Sequence, residues 1–110
     1  MRTLEFEVKQ QRLLKKQGCD FSQLVAGSVG YLSAKFHFSK PEWDKCKKVA
    51  SFWLGDEEYP VLLDENDTCV VPQEVLNAES FLISVTGAKR EGNKVYKLKT
   101  TKVKVKQEVY

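Results

Sequence analysis

The side chains best able to do chemistry in this chain are one histidine, three cysteines, a run of carboxylates and two groups of basic residues. His37 stands alone, on the polar parity of a Phe36-His37-Phe38 alternation. No second histidine, cysteine or carboxylate at helical spacing completes a metal site with it, so it reads as a plain surface histidine. Cys19, Cys46 and Cys69 form no Cys-x-x-Cys pair, and with a single histidine a tetrahedral zinc site lacks its ligands. Reduced thiols packed as small hydrophobes are expected, with a Cys19–Cys69 bridge only if the protein ends up outside the cell. Asp64-Glu65-Asn66-Asp67 sets four oxygen-bearing side chains in a row, without the alternation and closing Glu of an EF-hand. A solvated turn is the expectation there.

No Gly-rich phosphate loop, no Ser or Cys nucleophile with a histidine partner and no carboxylate pair on apolar strands is present. The expectation is a binding or structural module without cofactor, not an enzyme.

The basic residues form the remaining candidate. Lys94, Lys97, Lys99, Lys102, Lys104 and Lys106 stud the last strand-like stretch, and Arg12, Lys15 and Lys16 lie in an early basic segment. A lysine stripe can face nucleic acid or an acidic partner. It can also guard an exposed sheet edge against unwanted strand pairing. Edge protection is the favoured reading, because no Arg and few aromatics are interleaved with these lysines. Arg12, Lys15, Lys16, Lys97, Lys99, Lys102 and Lys104 are nonetheless the expected partner contacts.

Composition sets the frame. At 110 residues the chain fits one domain able to bury roughly two-thirds of its unfolded surface. A net charge of +3 is small for a free-standing nucleic-acid binder, so nucleic acid is not the expected partner. No apolar run approaches the ~20 residues of a membrane span. Met1 to Val8 alternates charged with apolar residues and lacks the apolar middle of a signal peptide, so synthesis and retention in a cytoplasm are expected.

The elements that must position these groups are strands. Thr3–Lys9 alternates with Leu4, Phe6 and Val8 on one face. Val29–Phe38 alternates with Leu32, Ala34, Phe36 and Phe38 inward. Gln10–Ser28 between them reads as a long, packed connection whose first role is to cover one end of the core. Pro41–Lys45 predicts a turn that lays Trp43 across the core's open end. Val49–Leu54 and Tyr59–Leu63 flank a hairpin turn at Gly55. Thr68–Val71 is a short strand stopped by Pro72, and Gln73–Leu76 predicts one helical turn. Ser80–Gly87 is another strand, followed by a hairpin loop of moderate length over Ala88–Asn93 that contains Gly92-Asn93. In Val95–Val105 the apolar parity shifts near Thr100-Thr101, which predicts a bulge or a strand changing sheets. Seven or eight short strands of this kind predict an all-β antiparallel sandwich of immunoglobulin-like size, without the antibody Cys…Trp…Cys pattern. It is expected to fill 1–110 as one domain, with 1–28 as N-terminal strand plus packed loop and 29–110 as sandwich core.

Phe36-x-Phe38-x4-Trp43, Ala50-x-Phe52, Tyr59-x-Val-x-Leu-Asp64, Cys69-x-Val-Pro-x-Glu-Val-Leu76, Phe81-x-Ile-x-Val-x-Gly87 and Thr100-Thr101, in this order, resemble a small β-sandwich domain of phage and prophage structural proteins of Gram-positive bacteria. It is similar to the N-terminal domains of tail and baseplate proteins. The resemblance covers about three-quarters of the chain, from Val29 onward. It implies a virion part, in tail, baseplate or capsid, made in the host cytoplasm and acting through contacts with other phage structural proteins or with its own copies. It implies no catalytic residues. The basic segment Gln10–Lys16 departs from the pattern. The second expectation is a small phage-encoded inhibitor that binds a host defence protein, such as a nucleic-acid-guided nuclease of the CRISPR type, through its basic surface.

Overall fold

A computed structural model describes residues 1–110. Two sheets face each other across one cluster of 20 buried apolar residues. The first has the order β2 (Arg12–Lys15), β1 (Arg2–Lys9), β3 (Leu32–Phe38), β6 (Thr68–Val70). The second has β5 (Glu57–Leu62), β4 (Lys47–Leu54) and β7 (Ser80–Glu91). Both β8 (Lys94–Lys99) and β9 (Val103–Lys106) pair with the far side of β7. A single helical turn, α1 (Gln73–Leu76), follows Pro72 and buries Val75 and Leu76. No helix is long and apolar enough to cross a membrane.

The all-β sandwich is the expected one, with three departures in its pairing. The strands number nine, because Arg12–Lys15 is itself a strand and the last stretch divides in two. β1 and β3 run parallel, pairing Phe6 with Phe36, so the sandwich is not wholly antiparallel. A parallel pair needs a crossover of a dozen or more residues. The long segment between β1 and β3 provides it, and closes β1 and β2 into a hairpin on the way.

The third departure is the stretch expected as a loop. β7 continues through Ala88–Glu91 and pairs residue by residue with β8, ending in the two-residue turn Gly92-Asn93, where Gly92 takes φ +60°. β4 stops pairing with β7 at Lys47↔Ala88. Beyond that pair Lys89–Tyr96 forms a two-stranded arm, and Val95 and Tyr96 on it are exposed.

Parity decides the interior. Leu4, Phe6 and Val8, then Leu32, Ala34 and Phe36, then Ala50 and Phe52, then Phe81, Ile83 and Val85 all turn inward and are buried. Parallel register stacks Phe6 on Phe36, with ring centroids 5.3 Å apart. The aromatic row continues through Phe38 to Trp43 at 5.1 Å. Trp43 is 1% exposed, and its indole N–H donates to the Gln10 carbonyl at 2.8 Å, so the ring closes the core's open end as expected.

The first 28 residues supply core too, since Leu4, Phe6, Val8, Leu13 and Leu24 are all buried. The crossover loop is pinned by Arg2, whose guanidinium donates to the carbonyls of Asp20 and Ser22 at 2.8 and 2.7 Å. Near the C-terminus, Ala26 donates to Glu108 O and Glu108 donates to Leu24 O.

Candidate binding face

One extra residue determines where the lysines point. β8 pairs Thr86 with Lys99, and β9 pairs Ile83 with Val103. Between those pairs Ser84 and Val85 oppose three residues, Thr100, Thr101 and Lys102. This is a β-bulge, one of the two devices the parity shift predicts, and the strand stays in its sheet. Thr100 holds it: its N–H donates to Val85 O at 3.0 Å, and its hydroxyl oxygen accepts from Val85 N–H at 2.9 Å.

The bulge keeps both faces consistent. Leu98, Val103 and Val105 turn toward the core although their parities differ. By the same step Lys97 and Lys99 before the bulge, and Lys104 and Lys106 after it, share the outward face of the second sheet. Lys102 joins them, since its ammonium lies 3.9 Å from the centroid of outward-facing Trp53. Trp53 is fixed in turn by its indole N–H, which donates to Ser84 Oγ at 3.0 Å. A shallow cleft of about 300 Å³ runs between them, lined by Trp53, Glu58, Ser84, Thr86, Lys99, Thr100 and Lys102. Such a surface can hold an anionic, partly flat group by charge and by ring contact.

The predicted partner contacts therefore divide into two groups. Lys97, Lys99, Lys102 and Lys104 belong to one face. Arg12 and Lys16 lie on the outward face of the first sheet, and Lys15 lies over the Phe21 ring at 5.1 Å. That outward face is mixed in charge, with Glu5 bonded to His37 at 2.8 Å and Glu7 to Lys9 at 3.5 Å. Arg12, Lys15 and Lys16 thus do not extend the basic face. The expectation that lysines guard an edge holds in part, because β8 and β9 are the sheet's edge. Thr101 at the bulge is engaged as well: its N–H donates to Gln11 O at 2.8 Å, and its hydroxyl oxygen accepts from Leu13 N–H at 3.2 Å.

The other candidates have local partners. His37 does not stand free: its Nε2–H donates to Glu5 Oε1, and that bond holds the Glu5 carboxyl below its usual range. Asp64 accepts from the N–H groups of Asn66 and Thr68 at 2.8 and 3.0 Å, which is a turn built on its carboxylate. Asp67 pairs with Lys48 at 3.1 Å.

All three cysteines are free thiols. Cys19 accepts from Glu5 N–H in β1, while Cys69 lies in β6 on the far side of β3. With strands about 4.8 Å apart, that placement rules out the Cys19–Cys69 bridge.

Trp53 is what the sequence reading missed. An aromatic ring does accompany the lysines, but it comes from β4, two strands away across β7. Its signal was available: alternation with inward Phe52 points Trp53 outward.

No family model matches this chain, and no curated protein or solved structure matches it.

Proposed function

We propose that this chain is a non-enzymatic assembly module that docks an acidic protein surface on the outward face of its second sheet. The observation that carries this is the bulge at Thr100–Lys102, which gathers Lys97, Lys99, Lys102, Lys104 and Lys106 on one side, around Trp53. Alternation alone sets such lysines on the outward face of an edge strand; the Trp53 ring at their centre, under the Lys102 ammonium, is the feature that solubility does not require. The setting proposed for the module is a phage virion, as a tail, baseplate or capsid-associated part, and this rests on the order of motifs from Phe36 to Thr101. Mass spectrometry of purified particles tests it, with many copies per virion expected. Absence of the chain from particles would sink the virion setting.

The same face favours a second reading, a small phage-encoded inhibitor that covers an acidic or nucleic-acid-facing surface of a host defence protein. That reading expects a tagged copy to bring down one host nuclease, and a Lys97→Glu/Lys99→Glu/Lys102→Glu copy to release it. Retention of the nuclease by the altered copy argues against it.

A further inference from the structure

The second sheet is electrically polarised from edge to edge. Between Ala88 and Lys106, seven lysines and Arg90 accompany a single carboxylate, Glu91. Between Asp56 and Asp67, six carboxylates occur with no basic residue at all. The first stretch takes in the end of β7 together with the β8/β9 edge, and the second forms β5 and its two flanking turns, at the opposite edge. Asp56, Glu57 and Glu58 are exposed and make no salt bridge within the chain, and the same is true of Lys102, Lys104 and Lys106.

Register makes the two edges complementary in position as well as in sign. Glu58, Trp53, Leu82 and Lys104 lie on one row across the sheet, through the pairs Glu58↔Trp53, Trp53↔Leu82 and Leu82↔Lys104. Asp56 lies further along β5's approach, toward the level of the Ser80↔Lys106 pair. A copy displaced sideways brings its Asp56–Glu58 end beside the Lys102–Lys106 end of its neighbour.

We infer that the partner for the basic edge is the acidic edge of a second copy of this chain, joined head to tail. This deepens the assembly reading above and rests on it. Such a contact uses two different surfaces, so repetition closes a ring or runs as a filament. The backbones do not fuse into one sheet. Leu63 N–H points into β4, to Lys48 O, so the alternating position Pro60 turns its donor-less nitrogen to the free edge. At the bulge on the other edge the Thr101 N–H is already taken by Gln11 O, and the Thr101 hydroxyl oxygen accepts from Leu13 N–H. Contact is therefore between side chains and is sensitive to salt.

Sedimentation of three proteins tests this: wild type, a basic-edge reversal (Lys102→Glu, Lys104→Glu, Lys106→Glu) and an acidic-edge reversal (Asp56→Lys, Glu57→Lys, Glu58→Lys). Circular dichroism confirms that each is folded, and Lys→Gln or Glu→Gln versions replace any that is not. Wild type is expected to associate with rising concentration at about 50 mM salt and to dissociate at about 0.5 M, where screening shortens to about 4 Å. Each reversal alone is expected to associate about tenfold or more weakly, since like charges then face each other. An equimolar mixture of the two is expected to recover association, because one carries two acidic edges and the other two basic ones. A mixture that stays monomeric overturns the inference, as does wild type that shifts only when an oligonucleotide is added. Wild type that is monomeric in solution yet present in purified particles overturns the head-to-tail contact and leaves the assembly reading standing.

Discussion

Trp43 occupies the space that a side chain on Gly87 would need: a Cβ there would lie 2.7 Å from indole Cζ3 and 2.9 Å from Cε3. Gly87 is the last inward position of β7 before the strand leaves the core as an arm. The six-membered part of the ring from the Pro41–Lys45 turn lies against that bare backbone. Gly87→Ala is expected to destabilise by about 1–3 kcal/mol through overpacking. Trp43→Ala, which empties the site, is expected to cost about 3–5 kcal/mol. Because the two share one space, urea unfolding of the double variant should fall short of the sum of the single effects. A strictly additive result would place the ring elsewhere.

Thr100 is the lock of the bulge. Thr100→Val removes the acceptor of the Val85 N–H and leaves a buried donor unpaired, at an expected cost of about 1–3 kcal/mol. Deleting Thr101 is a harsher test. It shifts β9 by one residue, which would turn Val103 and Val105 outward and the lysines inward. That chain is expected to lose cooperative unfolding in a thermal melt, and a sharp wild-type transition would contradict the bulge.

Acid sensitivity should report on Glu5. The hydrogen bond from His37 is the largest cause lowering this carboxyl below its ordinary value of 4.5, with the charges of His37, Lys16 and Lys35 acting the same way. A carboxyl whose value is lowered by folding adds stability at pH values above its unfolded value. That stability disappears as pH falls through the lowered one. Urea midpoints of wild type should therefore drop further between pH 6 and pH 3 than those of Glu5→Gln. Equal drops would show that the Glu5–His37 bond carries no pH dependence.

The thiols should separate by reactivity. Burial, and then the charge of Asp64, pushes the Cys69 thiol up to about 12, so almost none of it is thiolate near neutral pH. Alkylation at pH 8 followed by mass spectrometry should leave Cys69 unmodified in folded protein and modify it once urea is added. Prompt modification of folded protein would contradict its position in the core.

Much of the fold was legible because parity is a direct physical record of burial. Leu4-x-Phe6-x-Val8 and Phe81-x-Ile83-x-Val85 could face the core only as strands, and the parity shift at Thr100-Thr101 announced a bulge or a change of sheet, without saying which. The hairpin at Gln10-Gln11 was not legible. Its turn takes φ +55° at Gln10, a conformation usually signalled by Gly or Asn, which this turn lacks. The hairpin at Gly92-Asn93 was legible, but Ala88–Glu91 read as loop and not as strand because the arm buries almost nothing and leaves no apolar periodicity to read. The parallel pairing of β1 with β3 is a long-range choice that neither strand encodes alone. At the candidate site the lysines could be read one by one. Their common face could not, since it depends on the bulge together with Trp53 from a strand two places away.

Assembly through the lysine face, as proposed, can be read from copy number in purified virions. Wild type and a folded Lys97→Glu/Lys99→Glu/Lys102→Glu/Lys104→Glu variant would be expressed in turn as the sole copy during particle production and counted by quantitative mass spectrometry. The expected result is many copies of wild type per particle and near-complete loss of the variant. Particles that contain no wild-type chain, or that take up the variant at the wild-type level, would contradict the account.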